Sequence, residues 1–419
     1  MSRIYYSLYD RLLSVKSLEA AFQKVKSKKG APGIDGQSIA DFASGLDSNL
    51  RMLVGELRDK LYRPLPVRRV EIPKPDGGLR PLGIPAVRDR VVQQALLDIL
   101  QPIFDPYFHP SSYGYRPGRS CHQAISKATM FIRKYGRRWV VDMDLSKCFD
   151  TLNHDLILSS FRRRISDGSI LNLLLLFLKS GVMTDEGWQS SETGSPQGGV
   201  ISPLIANVYL DSFDQFMMKR GHRIVRYADD ILILTCSKSA AENVRTQATA
   251  FLEGSLKLTV NQKKTHLIHS NFGVKFLGVV IHTKYTRIQD KKLQGFKVRV
   301  KAIIRRNSPV NLAKVIKDLN PVIRGFANYF RIANCKGVFD NLMQWIRRRL
   351  RHKQLALWKK AVKLHRRLRQ LGYSGEFKSI KMQSWSNSRS PLVHYVLPNK
   401  HFAEVGLYNM SDVKTGCSV

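Results

Sequence analysis

Two short segments place acids where a strand pattern would bury them. In Trp139-Val140-Val141-Asp142-Met143-Asp144-Leu145 two aspartates alternate with apolar residues. In Ile224-Val225-Arg226-Tyr227-Ala228-Asp229-Asp230-Ile231-Leu232-Ile233-Leu234 two β-rich runs flank an Ala-Asp pair. A carboxylate taken out of water is costly without a partner, so acids in such runs ask for a cation or a hydrogen-bond network. Either segment alone is equally well a turn or a cap. Together, in a strongly basic chain, they suggest one carboxylate cluster holding divalent cations. Two such ions about 3.5–4 Å apart can activate a 3′-hydroxyl, bridge a triphosphate and stabilise the leaving pyrophosphate. Hard oxygen ligands shared with phosphate suit Mg²⁺, with Mn²⁺ as its substitute.

The elements that must carry these acids can be read from the same pattern. The second segment predicts a hairpin with Asp229 and Asp230 at its tip, and the first a single strand with Asp142 and Asp144 on one face by period two. Either of those two is a candidate ligand on spacing alone. Residues 67–85 alternate around Asp76-Gly77-Gly78 and predict a second hairpin with basic flanks. Residues 1–60 read as helical, broken by the turn-rich stretch from Gly30 to Gly36. From Phe339 to Leu371 there is neither Gly nor Pro, and apolar residues recur at Leu342, Met343, Ile346, Leu350, Leu357, Ala361, Leu364, Leu368 and Leu371. That spacing predicts one long helix stopped at Gly372, followed by a mixed tail.

Charge narrows the partner. The 419 residues carry 69 Lys and Arg against 32 Asp and Glu, a formal net charge of +37. With 43% hydrophobic residues this is a folding chain and not a disordered polycation. The excess is uneven: residues 291–370 hold 23 Lys and Arg but only Asp318 and Asp340. The basic face of the predicted helix is either a solvated surface or a track for phosphates, and the scarcity of acids favours phosphates. The longest apolar run, Ile170 to Leu178 with Asn172 inside it, is about half of the roughly 20 residues a membrane span needs. The N-terminus has no secretory pattern. Five scattered cysteines without a CxxC exclude a zinc ribbon or disulfide framework, and neither GxxxxGK[ST] nor GxGxxG occurs.

With its ordered motifs assembled, the sequence resembles the reverse transcriptases encoded by group II introns, also called maturases. The motifs are Ile72-Pro73-Lys74-Pro75 with Arg80; Tyr113-Gly114-Tyr115-Arg116-Pro117-Gly118-Arg119; the run from Val141 to Asp155; Gly194-Ser195-Pro196-Gln197-Gly198-Gly199 with Ser202-Pro203-Leu204; Tyr227-Ala228-Asp229-Asp230; Leu258-Thr259-Val260-Asn261 with Lys264-Thr265; and Phe276-Leu277-Gly278. The likeness covers roughly residues 1–370, more weakly beyond. It implies that Asp144, five residues before the aromatic Phe149, is the metal ligand of its strand, joined by the Leu145 carbonyl, Asp229 and Asp230. It also implies that Lys74 and Arg80 grip triphosphate, with Phe149 gating against a 2′-hydroxyl. Gln197 would sit at the nucleotide, Lys264 would protonate pyrophosphate, and Arg116 would touch the template. Each has a plainer alternative: an exposed hairpin charge for Lys74 and Arg80, a core aromatic for Phe149, a core salt bridge for Arg116. Arg347, Arg348, Arg349 and Arg351 are the expected nucleic-acid contacts of the helical segment. His154 is expected to begin a helix.

The expected fold is therefore α+β, a right-hand polymerase: fingers and a palm with an antiparallel sheet and helices, then an all-α basic thumb. Residues 1–60 form an N-terminal extension, 61–290 the fingers and palm, 291–375 the thumb, and 376–419 a DNA-binding-like segment. As the resemblance implies, the activity is RNA-directed DNA synthesis with two Mg²⁺ ions, with binding and splicing of a group II intron RNA and support of its retrohoming. The partners are intron RNA, RNA template, DNA primer and dNTPs, with no membrane, in a bacterial cytoplasm as a nucleoid-associated ribonucleoprotein. Many relatives carry a C-terminal nuclease module with paired cysteines and histidines, and with only Cys417 beyond the thumb that module is expected to be absent. The rivals are a splicing-only RNA-binding protein, which the retained acids disfavour, and a free-standing polymerase of repair or defence.

Overall fold

The computed structural model describes residues 4–73, 77–184, 187–190, 192–195, 198–305, 308–375 and 390–416. It divides into two compact units, Met1–Ile268 and His269–Val419.

The first unit opens with α1 (Val15–Ser27), α2 (Ile39–Ser44) and α3 (Leu46–Arg58). The turn between α1 and α2 falls where the glycines predicted it, and Ser38 with Asp41 forms a capping box at α2. Next comes a hairpin of β1 (Val67–Pro73) and β2 (Leu79–Ile84), paired antiparallel from Arg68↔Ile84 to Pro73↔Leu79. Then follow α4 (Val87–Phe104), α5 (Cys121–Arg133), β3 (Trp139–Met143), α6 (His154–Arg162), α7 (Gly168–Leu178), β4 (Val182–Thr184), β5 (Gly187–Gln189), α8 (Ser202–Lys219), β6 (Arg223–Tyr227), β7 (Asp230–Thr235), α9 (Lys238–Ala250) and β8 (His266–His269). His154 does open a helix, which Asn153 caps by accepting from the Leu156 N–H.

Two four-stranded sheets organise this unit, in the orders β2-β1-β4-β5 and β6-β7-β3-β8. The second is the one that matters for chemistry. Its strands are almost continuously apolar because both faces are covered: Val140, Val141, Ile224, Val225 and Ile231 to Leu234 are all buried. Burial on two faces leaves only the strand ends open to carry polar chemistry.

The second unit holds a three-stranded antiparallel sheet of β9 (Val274–Phe276), β10 (Val279–Ile281) and β11 (Thr286–Ile288). After it come α10 (Asp290–Ile303), α11 (Leu312–Phe330), α12 (Lys336–Trp358), α13 (Ala361–Gln370), α14 (Pro391–Val396) and α15 (Asn399–Glu404). Here the expectation of one helix from 339 to 371 needs correcting. The chain breaks at Lys359, which takes a left-handed φ of 61°, and restarts as α13. Apolar spacing runs through such a break unchanged, so the pattern could not reveal it. Gly372 does stop the second piece, at φ 72°, with the Tyr373 N–H donating back to the Leu368 carbonyl. Among the described residues no helix is long and apolar enough to cross a membrane.

Candidate active site

The acids meet at one end of the sheet. β3 and β7 pair antiparallel with Asp142 opposite Leu232 and Met143 opposite Ile231. One further step along the same register sets Asp144 against Asp230. On its other side Asp230 pairs with Tyr227 across a two-residue turn, Ala228-Asp229. Alternation then places Asp142, Asp144 and Asp230 on one face of the sheet, with Asp229 at the tip.

Leu145 adds a backbone oxygen. Beyond β3 it pairs with Val260 as an isolated bridge, but the hydrogen bonds fall on its neighbours. The Ser146 N–H donates to the Thr259 carbonyl (2.9 Å) and the Asn261 N–H to the Asp144 carbonyl (2.8 Å). The Leu145 carbonyl therefore points away from Val260, towards the hairpin side. Lys264 is drawn to the same end: the Asp144 N–H donates to Thr265 Oγ1 at 3.3 Å, and Lys264 precedes it, exposed.

The electrostatics follow from the crowding. Protein packed around Asp142, together with the charges of Asp230 and Asp144, pushes its carboxyl up to about 7. Asp230 keeps an open side to solvent, yet its buried surroundings and the charges of Asp229 and Asp144 push it up to about 6. Burial, then Asp229, pushes the nearby Cys148 thiol up to about 12. Repulsion of this kind is what a bound cation would relieve. The donors are all oxygens, which fits a hard divalent ion. Among the described residues no three His, Cys, Asp or Glu side chains are already gathered into a metal cage, so the acids share a sheet end without being locked around a centre.

What holds the tip in place was not legible beforehand. Arg226, the residue before Tyr227, is completely buried on the opposite face of β6. Its guanidinium pairs with Asp214 of α8 at 2.6 Å and donates from Nη1 to Asn207 Oδ1 (2.9 Å) and to the Ala228 carbonyl (3.1 Å). Ala228 sits at φ 59°, an uncommon conformation for a residue with a Cβ. The arginine thus grips the strained turn from beneath. Asn207 also donates to the Gly114 carbonyl at 2.9 Å, and Gly114 is pressed so closely on the turn that a Cβ there would lie 2.3 Å from the Ala228 nitrogen. Gly114 is therefore required by close approach. The Tyr113 N–H donates to the Arg226 carbonyl and the Arg226 N–H to the Ser111 carbonyl, both at 2.9 Å.

This clamp also delivers Tyr115. It has φ 59°, is exposed, and meets Phe149 edge-on with ring centroids 6.4 Å apart. Phe149 itself is buried at the margin of the core, and the Ser195 N–H donates to its carbonyl at 2.7 Å. Further along, Gly198 comes up against β2, where a Cβ on it would lie 2.3 Å from the Gly83 carbonyl oxygen. Gln197 and Lys74 lie outside the described residues. The backbone of Arg80 pairs with Ile72, and its side chain is not among those described.

One expected contact is corrected, and a second lies deeper than expected. Arg116 is buried and directs all five N–H groups inward: to Asp105 Oδ1 and Oδ2, and to the carbonyls of Asp105, His109 and Ser112. No donor remains for a template, so the core salt bridge is its role. Arg351 is 4% exposed and donates to the Leu397 carbonyl (2.9 Å) and Asn399 Oδ1 (2.8 Å), tying α12 to the tail helices. Lys353, on the same predicted basic face, is also buried, bonded to the Ser308 carbonyl. Arg347, Arg348 and Arg349 are half-buried; Arg347 bonds Asn409 at 3.1 Å and Arg349 lies over the Trp345 ring. Fully exposed cations stand instead on α13, at Lys363, Arg366, Arg367 and Arg369.

The chain is similar to known proteins over most of its length. The family described as reverse transcriptase (RNA-dependent DNA polymerase) matches residues 72–281, and the group II intron, maturase-specific domain matches residues 293–372. Protein YkfC of Escherichia coli (strain K12) is 39% identical over 64% of this chain and 80% of its own. The group II intron-encoded protein LtrA of Lactococcus lactis subsp. cremoris is 28% identical over 82% of this chain and 74% of its own. Among solved structures, an apo telomerase from Candida tropicalis covers 54% of this chain and 55% of its own, at 17% identity and a TM-score of 0.41.

Proposed function

The chain belongs to the reverse transcriptases that carry a group II intron maturase domain, and from that premise we propose that Asp144, Asp229 and Asp230, with the Leu145 carbonyl, hold two Mg²⁺ ions at which a DNA primer grows on an RNA template. RNA-directed DNA polymerisation and maturase function are those of the family. The observation that carries the site is the register setting Asp144 against Asp230, one residue from the Asp229 turn and beside an inward-facing carbonyl.

Bound there, Mg²⁺ would neutralise the triphosphate and favour the alkoxide form of the primer terminus. The chain's own groups do the rest. Lys74, which follows β1 in sequence, and Arg80 of β2 grip phosphate oxygens, one as a mobile point charge and one as a fixed fork. Phe149 closes the floor against a 2′-hydroxyl, Gln197 meets the nucleotide, and Lys264 gives a proton to departing pyrophosphate. Residues 61–290 act as fingers and palm and 291–375 as thumb, with 1–60 and 376–419 flanking them. Intron RNA and primed template are the partners, and retrohoming in a nucleoid-associated bacterial ribonucleoprotein is the setting. The test is extension of a primed RNA with dNTPs by the wild-type chain and Asp229→Asn, with splicing of an intron precursor assayed in parallel. Loss of extension with RNA binding retained is expected; undiminished synthesis by the variant would overturn the metal assignment.

A further inference from the structure

The second unit contains a cleft lined by α12, α14 and α15. Asn341, Gln344, Trp345 and Arg348 recur on one face of α12, and His394 of α14 and Asn399 of α15 stand across from them. The space between, open to solvent, is about 1080 Å³, and none of its lining residues is acidic. Arg351 forms the floor. Its Nε and Nη2 are held by the Leu397 carbonyl and Asn399, its guanidinium lies over the Phe402 ring, and no acid pairs with it among the contacts of the described residues. Burial and the neighbouring charge of Arg347 both push Arg351 below the usual guanidinium range, a cost that an anion in the cleft would offset.

We infer that this cleft takes an unpaired nucleotide of a bound RNA, its phosphate on Arg348 and Arg351 and its base against Trp345. A duplex backbone calls for cations spaced along an extended track, whereas here the arginines converge in one pocket with an indole. Aromatic rings serve splayed bases, which have a free π-face, and not bases within a helix. Asn341, Gln344 and Asn399 bring amides, each able to offer a donor and an acceptor to a base edge. The indole is braced for that use, since Arg349 four residues on lies 5.5 Å from its ring centre. RNA is the source because the matched maturase-specific domain spans α12; the inference rests on that reading for its ligand.

The test uses the full-length chain and one short RNA duplex, prepared with and without a bulge of unpaired purines. Wild type should bind the bulged form more tightly. Trp345→Ala should lose about tenfold on the bulged RNA and little on the paired one, as expected for one lost stack. Trp345→Phe should retain most of the preference. Because Trp345 is half-buried, Asn341→Ala/Gln344→Ala, both exposed on the surface of α12, provides a second variant free of core packing and should also erode the preference. Equal losses on both RNAs, or none on either, would overturn the cleft, and equal wild-type affinity for a bulged DNA would overturn its assignment to RNA. Primer extension by the same preparations keeps the two readings apart: an active enzyme without bulge preference loses only the cleft, and an inactive one that prefers the bulge loses only the polymerase.

Discussion

Of the buried arginines, Arg226 in the first unit and Arg351 in the second sit under opposite conditions. Arg226 is 0% exposed and answers a carboxylate, Asp214, also 0% exposed, with Asn207 and the Ala228 carbonyl taking its remaining reach. Arg351 is 4% exposed and answers only neutral oxygens, Leu397 and Asn399. The difference teaches what each charge is for. A cation neutralised in place becomes a rigid fitting, and the fitting here is the turn that presents Asp229. A cation left without an acid keeps its field and remains open to an anionic partner. Arg226 thus holds an acid steady in the first unit, and Arg351 in the second is, on the reading proposed above, kept for phosphate.

This contrast can be broken by experiment. The largest effect is expected at the fitted side: Asp229→Asn should slow primer extension on the order of 10³-fold while RNA affinity stays near wild type, read by single-turnover extension and filter binding. Next, Asp214→Ala should strand Arg226 without its counter-charge and cost about 3–5 kcal/mol, measured by thermal or urea unfolding. Asp214→Leu with Arg226→Met should restore much of that stability yet leave extension impaired, because the Ala228 carbonyl has lost its donor. Arg351→Met, which removes bonds to neutral acceptors only, should cost less, roughly 2 kcal/mol. A loss equal to that of Asp214→Ala would erase the distinction. The smallest effect lies on the open side: Arg366→Gln/Arg367→Gln/Arg369→Gln should weaken RNA binding and lower the salt slope by about one to three. An unchanged slope would make α13 a solvated face.

The sequence carried the acids and their hairpin plainly, because alternation fixes both the turn and the face: period two and a two-residue gap offer Asp142 or Asp144 with Asp229 and Asp230, and the choice of Asp144 rests on the family resemblance. It could not carry depth. Arg116, Arg226 and Arg351 look alike on the page, each a basic residue in a basic chain, and what separates surface from interior is a partner remote in sequence. Asp105, Asp214 and Leu397 are those partners, and nothing in the local pattern names them. The break at Lys359 was hidden for a related reason, since a left-handed lysine leaves no mark in composition. Tyr115 and Gly114 did carry a signal, as neighbours in a quoted motif, but only the Gly114–Ala228 approach reveals their use.

That approach also bears on how the molecule is made. The stretch from Ser111 to Gly114 finds its hydrogen-bond partners at Arg226 and Asn207, after α5, β3, α6, α7 and most of α8 have been synthesised. Such a closure is entropically late, and until it forms the Tyr113 N–H and the Ser111 and Gly114 carbonyls have only water for a partner. On the ribosome, synthesis of the first unit is therefore far advanced before the Asp229 turn exists. A growing chain would have no competence to copy RNA until β6 emerged, so translation itself would time the onset of its activity.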